Sequence, residues 1–149
     1  MTPPLPIARI APSQVKAYPA LGALTCQVSS AASDGACTVL ELTLAPGQRA
    51  GLHVHTREQE IVWVRAGTCT VGDAEHTWPL EAGSWAIFPA HTPHRFQNTS
   101  DQPCSLLITA IPGGLDRYFA ALDDAVARQD AEAIAAINAD YGITFFPAA

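Results

Sequence analysis

Between residues 23 and 111, apolar and polar positions alternate in short runs broken by glycine and proline. In the segment 37–44, Thr38, Leu40, Leu42 and Leu44 alternate with Cys37, Val39, Glu41 and Thr43. That period of two predicts a strand whose leucine face turns to a core. The preceding run "ALTCQVSS" is separated from it by the small-residue stretch "AASDG", a hairpin signal. "EIVWVRAG" and "TCTVGDAEHTWPL" continue the pattern, with turns predicted at Gly67 and Gly72-Asp73. "GSWAIFPA", "HRFQNTS" and "CSLLITAIPGG" follow at short, even intervals. Many short strands with this punctuation predict an antiparallel sandwich or barrel.

The last third changes period. Leu115, Phe119, Leu122 and Val126 fall on one face of a helix, entered at Gly113-Gly114 with Asp116 as a candidate cap. A second helix is expected after Asp130, its N-cap, with Ile134, Ile137 and Tyr141 on one face and Gly142 at its end. The apolar tail "ITFFPAA" is expected to pack down. The chain thus divides into a proline-rich arm (1–22), an all-β domain (23–112) and a C-terminal helical extension (113–149).

Composition narrows the function classes. A chain of 149 residues suits one domain. Charged residues make up 15%, below the roughly 25% of an average soluble protein, which implies a large apolar interior. The net charge of -6, with Lys16 the only lysine and no basic run, argues against nucleic acid and anionic membranes as partners. No apolar run approaches the roughly 20 residues of a membrane span. The proline-rich N-terminus has no signal-like apolar core, so a cytoplasmic location is expected. Cys26, Cys37, Cys69 and Cys104 form no C-x-x-C pair and are expected to be reduced thiols.

Four of the five histidines lie in two short windows, "HVHTREQE" and "HTPH". Residues i and i+2 of a strand share a side, so His53 and His55 can both face a barrel interior. His91 and His94 return to that neighbourhood if the chain folds back through the hairpin at Gly72. Imidazoles and a carboxylate in this arrangement suit a divalent ion with open positions for water or substrate. Glu58 and Glu60 compete for the carboxylate role; Glu60 shares a strand face with Val62 and Val64, whereas Glu58 falls in the preceding bend. Trp63, Trp78 and Trp85 are expected to serve packing, and His76 to be exposed.

These residues resemble the two sequence motifs of the cupin superfamily. Gly47, His53, His55, Glu60 and Gly67 satisfy G-x5-H-x-H-x3,4-E-x6-G. Gly83, Pro89, His94 and Asn98 satisfy G-x5-P-x-G-x2-H-x3-N, with His91 standing where the motif has glycine. The resemblance implies a cupin (double-stranded β-helix, or jelly-roll) barrel. It also implies one divalent transition metal ion (Fe, Mn, Ni, Co, Cu or Zn) held by His53, His55, Glu60 and His94. Asn98 is expected to be structural. His91 is expected either to be strained at a positive φ that non-glycine residues rarely adopt or to sit in a loop that bends differently; a position on the pocket rim or a substrate contact are both open to it.

The C-terminal "IPGGLDRYFAALDDA…INADYGITFFP" is similar to the tail of small quercetin 2,3-dioxygenase-like cupins. That resemblance implies Glu60 as both ligand and catalytic base, a small aromatic or enolisable, flavonol-like substrate, and O2 as co-substrate. The expected pocket wall comprises Val62, Val64, Phe88, His91 and Phe96, with Ile87, Leu106 and Ile108 as further candidates. A non-catalytic or sensing metal-cupin and a cupin isomerase or lyase are the competing readings. A homodimer is expected from the family and from the need to cover sheet edges.

Overall fold

The structure is a computed structural model that describes residues 1–148. Among these residues, eleven strands form two antiparallel sheets that enclose the interior. The first sheet contains β1 (Lys16–Ala17), β2 (Ala23–Val28), β3 (Thr38–Leu44), β5 (Gln59–Ala66), β8 (Trp85–Phe88) and β10 (Cys104–Ile111), in the order β1-β2-β3-β10-β5-β8. The second contains β4 (Arg49–His55), β6 (Thr68–Gly72), β7 (Thr77–Glu81), β9 (His94–Gln97) and β11 (Ile143–Phe145), in the order β11-β4-β9-β6-β7. Helices α1 (Leu115–Ala127) and α2 (Ala131–Asp140) come between β10 and β11. This is the antiparallel barrel expected from the alternation of short strands, with the helical extension expected from the change of period after it.

The register explains the core. Leu40 pairs with Ile108, which pairs in turn with Val62; Leu42 pairs with Leu106, which pairs with Val64. Side chains that oppose one another across strands share a sheet face. Apart from the half-buried Leu42, these residues are buried, with Val62, Val64 and Leu106 fully so. Full burial of a branched aliphatic side chain stabilises by roughly 1.5–3 kcal/mol, so the centre of the first sheet anchors the fold. Opposite it, Cys69, Val71 and Phe96 supply the inner face of the second sheet. All four cysteines are free, as expected.

Two elements at the chain's ends join the sheets. Lys16 and Ala17 pair with Cys26 and Thr25, and Tyr18 behind them is buried, so the arm becomes part of the first sheet before residue 22. At the other end, Ile143, Thr144 and Phe145 pair with His55, Val54 and His53. The apolar tail is therefore a barrel strand, a pairing that its three-residue length did not announce.

Asp130 caps α2 as expected, accepting from the Ala133 amide at 2.9 Å, and Gly142 at φ 68° follows its end. Asp116 does not cap α1. Gly114 is the N-cap residue, and the Asp116 carboxylate instead accepts from the Ser30 and Thr38 hydroxyls at 3.0 and 3.1 Å. Those hydroxyls, on the β2–β3 loop and β3, offer two donors where a cap would have used one amide, and they tie the helix to the barrel.

Asn98, fully buried after β9, donates to the Leu44 and Gln102 carbonyls at 2.9 and 2.7 Å. Its Oδ1 accepts from the Ser100 amide and hydroxyl at 3.0 and 2.7 Å. Removing a buried partner strands the groups it satisfied, at about 1–3 kcal/mol. Asn98→Ala is therefore expected to lower unfolding free energy by about 2–3 kcal/mol in a denaturant titration, without changing the denaturant slope.

Candidate metal centre

Strand β4 reaches the interior with its histidines because it is bulged. Ala50 pairs with Phe96, but His53 pairs with His94, so the register slips by one residue between them. Alternation from Ala50 would have turned His53 away from the inner face shared by His94 and Phe96. A β-bulge re-aims the side chains that follow it, and here it brings His53 and His55 inward. Glu60 arrives from β5 beside them and His94 from the start of β9.

The four side chains converge. One ligand atom from each of His53, His55, Glu60 and His94 lies within 4.8 Å of the others, and all four residues are buried. His94 Nε2 is 2.7 Å from Glu60 Oε2, and His55 Nε2 is 3.8 Å from Glu60 Oε1. The outer ring nitrogens are turned away: His53 Nδ1 is 2.7 Å from the Gly51 carbonyl, and His94 Nδ1 is 2.9 Å from the Thr92 carbonyl. A carbonyl can only accept, so both Nδ1 atoms carry a proton, and both Nε2 atoms face the centre. Phe145 stacks on His53 at 5.1 Å, and Phe88 stacks on His94 at 4.5 Å, which limits ring rotation.

The donor set fits a metal ion. Both ring nitrogens of His55 and one oxygen of Glu58 are buried without a hydrogen-bond partner. Buried polar groups are rarely left so. An ion facing the three Nε2 atoms and the Glu60 carboxylate would satisfy His55 Nε2 and leave positions open, as catalytic sites do.

Electrostatics separate the imidazoles. Burial, with His94 alongside, pushes His53 down to about 4. Burial also opposes a charge on His55, but Glu58 and Glu60 outweigh it and raise that residue overall. Burial raises Glu60, yet the hydrogen bond from His94 and the nearby imidazoles bring it below the usual carboxylate value. The centre thus favours an ionised carboxylate and a neutral His53, the protonation states a metal requires.

A cavity of ≈ 280 Å³ opens from His53, His55 and Glu60. Of the five wall residues expected from sequence it is lined by Phe96, and of the further candidates by Ile108. Val62 and Val64 are packed fully inside the core, and Phe88 backs the His94 ring. His91 is exposed, held at φ 68° with its amide donating to the His55 carbonyl at 2.7 Å. The walls come instead from Leu24, Leu42, Phe119, Leu122, Ile143 and Phe145, among others, because the cavity opens toward β2, β3 and α1, away from β5 and β8. The helical face expected to pack on the core is thus partly a cavity wall. Trp63 and Trp85 stack on the outer side of the first sheet at 5.9 Å, Trp78 is also exposed, and His76 lies against it on the surface. Glu58 does sit in the bend before β5, but its carboxylate is buried, 3.4 Å from His55 Nδ1.

His53 is expected to contribute stability to the metal-free protein that is present above pH 6.5 and lost as pH falls toward 4. The unfolded chain takes up that proton near 6.5 and the folded one near 4. Its ring resonances in a histidine NMR titration of metal-free protein should therefore shift with a midpoint near pH 4.

With this geometry established, comparison with known proteins gives a consistent picture. Residues 40–110 match the Cupin_2 family, described as a cupin domain. No curated protein is significantly similar to the chain. Among solved structures, a protein of Thermus thermophilus is 27% identical, with a TM-score of 0.55, over 70% of this chain and 90% of that one. A sugar phosphate isomerase from a cupin superfamily, from Silicibacter pomeroyi, is 27% identical with a TM-score of 0.53. That match covers 62% of this chain and 61% of the isomerase, less than two thirds of its length. A predicted oxalate decarboxylase of Thermotoga maritima is 21% identical with a TM-score of 0.61, over 70% and 98% of the two chains, a likeness of fold. No helix among the described residues is long and apolar enough to cross a membrane. The barrel has the cupin double-stranded β-helix fold, residues 40–110 match the cupin-domain family, and the His/Glu cluster within them can hold a metal ion.

Proposed function

We propose that the protein is a divalent-metal-dependent dioxygenase acting on a small aromatic or enolisable molecule, flavonol-like in the arrangement of its oxygens. The observation that carries the reading is the junction of His53, His55, Glu60 and His94 with an apolar cavity. Such a pocket suits an apolar body that presents one oxygen function to its polar end. A divalent ion bound there would supply a Lewis acid for that oxygen and a template for O2.

The chain's own residues do the rest. Glu60 takes the proton of the substrate hydroxyl. Leu42, Phe119, Leu122 and Phe145 hold the apolar body against the centre and exclude water. These walls suit a sugar phosphate or oxalate poorly, since either would bury charge against leucine and phenylalanine.

An isomerase reading is favoured by one observation, the 27% identity to the Silicibacter pomeroyi protein named as a sugar phosphate isomerase. The Glu60–His94 pair could move a proton without O2. A binding or sensing module would use the same cavity with no turnover. The exposed apolar strip of Trp85 (65%) and Ile87 (60%) on edge strand β8 supports a homodimer.

His53→Ala and His94→Ala are each expected to lower metal content severalfold by elemental analysis while the barrel stays folded by circular dichroism. Unchanged content would remove these residues from the ligand set. Metal-loaded protein is expected to consume O2 with enolisable aromatic substrates in an oxygen-electrode screen. Turnover of such a substrate without O2 uptake would favour the isomerase, and binding without turnover the sensing module.

A further inference from the structure

We infer that Glu58 is a positioning residue for the metal centre: its buried carboxylate accepts the Nδ1 proton of His55 and so commits Nε2 of that ring to the ion. The inference rests on the metal-centre reading above and assigns a role to a carboxylate outside the ligand set.

The three imidazoles differ in what lies behind them. His53 and His94 each turn Nδ1 to the carbonyl two residues earlier, Gly51 at 2.7 Å and Thr92 at 2.9 Å. The first follows the bulge in β4, and the second stands at the start of β9 after a turn. His55 finds no such carbonyl, and its Nδ1 has no hydrogen-bond partner among the described residues. The one acceptor that approaches is Glu58 Oε2 at 3.4 Å, itself buried and unpartnered. Donor and acceptor thus lie side by side, slightly too far apart for a well-formed bond. A shortening of roughly 0.3 Å would bring them within ordinary hydrogen-bond distance.

Glu58 is costly to bury unless it is used. An ionised carboxylate shielded from water needs partners, yet the bend "TRE" carries this one inside at 4% exposure. Its other oxygen lies beside the first turn of α1: a Cβ built on Gly114 would be 4.0 Å from Oε1. A helix N-terminus favours negative charge, so the entry to α1 suits a carboxylate in this place. Glu60 faces His55 from the opposite side at Nε2. The ring is held between two carboxylates, one in the ligand set and one behind it. A carboxylate behind a ligating imidazole fixes its tautomer and raises its basicity, and its removal typically weakens metal affinity about 10–100-fold.

The test compares zinc dissociation constants, by chelator competition, for the wild type, Glu58→Gln and Glu60→Gln. Melting curves of the metal-free proteins serve as the folding control. Glu58→Gln is expected to remain folded and to bind zinc roughly 10–100-fold more weakly. In NMR spectra of the zinc-loaded wild type, the Nδ1 proton of His55 should lie downfield of those of His53 and His94, and Glu58→Gln should move the His55 proton alone. Unchanged affinity in Glu58→Gln, or lost affinity with the His55 proton unmoved, would overturn the assignment while leaving the metal centre intact. A wild type that binds no zinc or other divalent ion would overturn both. Should Glu58→Gln fail to fold, the wild-type spectrum decides alone: a His55 ring proton no further downfield than the other two refutes the role.

Discussion

The structure depends on one constraint: a cluster of three imidazoles and two carboxylates is buried in an otherwise apolar barrel. Water is excluded from His53, His55, Glu58, Glu60 and His94, so each polar atom must find a protein partner or a ligand. Backbone carbonyls serve His53 and His94. The Glu60–His94 contact serves a third pair. What remains unsatisfied clusters on His55 and Glu58, on the two sides of one ring. The distribution of unmet polar demand therefore points inward to an ion and outward to a supporting carboxylate.

Chemistry and shape are divided between parts of the chain. The polar centre is carried by β4, β5 and β9, each flanked by a strand on both sides. The space in front of it is enclosed largely by β2, β3, α1 and β11. Phe145 links the two groups, since it lines the cavity and also stacks on His53. The helical extension is accordingly part of the site. Asp116 fastens α1 to the barrel through Ser30 and Thr38, and the Tyr118 hydroxyl donates to Asn138 at 2.9 Å to hold α1 on α2.

Much of this was legible in the sequence, for physical reasons. The period of two in β3 and β10 reports burial on one face, and that burial is what the structure shows. The spacing of His53, His55, Glu60 and His94 identified a group of side chains that the fold brings together. His91 in the glycine position left open a strained positive φ or a differently bent loop, and the residue adopts 68°. The wall was less legible because alternation tells which face a residue takes but not where along the barrel the cavity opens. Val62 and Val64 do face inward, yet their neighbours across the barrel leave no space beside them. The bulge in β4 leaves no distinct mark in composition, although Gly51 sits where it begins. Asp116 had two possible sets of donors, and only the placement of β3 beside α1 decides between them. The pairing of β11 with β4 joins residues far apart in the chain, Phe145 with His53, which local pattern does not encode.

The separation between ligand strands and cavity wall has an evolutionary corollary. Leu122 lines the cavity from the half-buried face of α1, apart from the strands that carry the histidines and Glu60. Substitutions there can redraw the outline of what enters the barrel while the registers that aim the histidines stay fixed. Lineages built on this plan can diverge in selectivity by drift at the periphery, with the His/Glu cluster inherited intact.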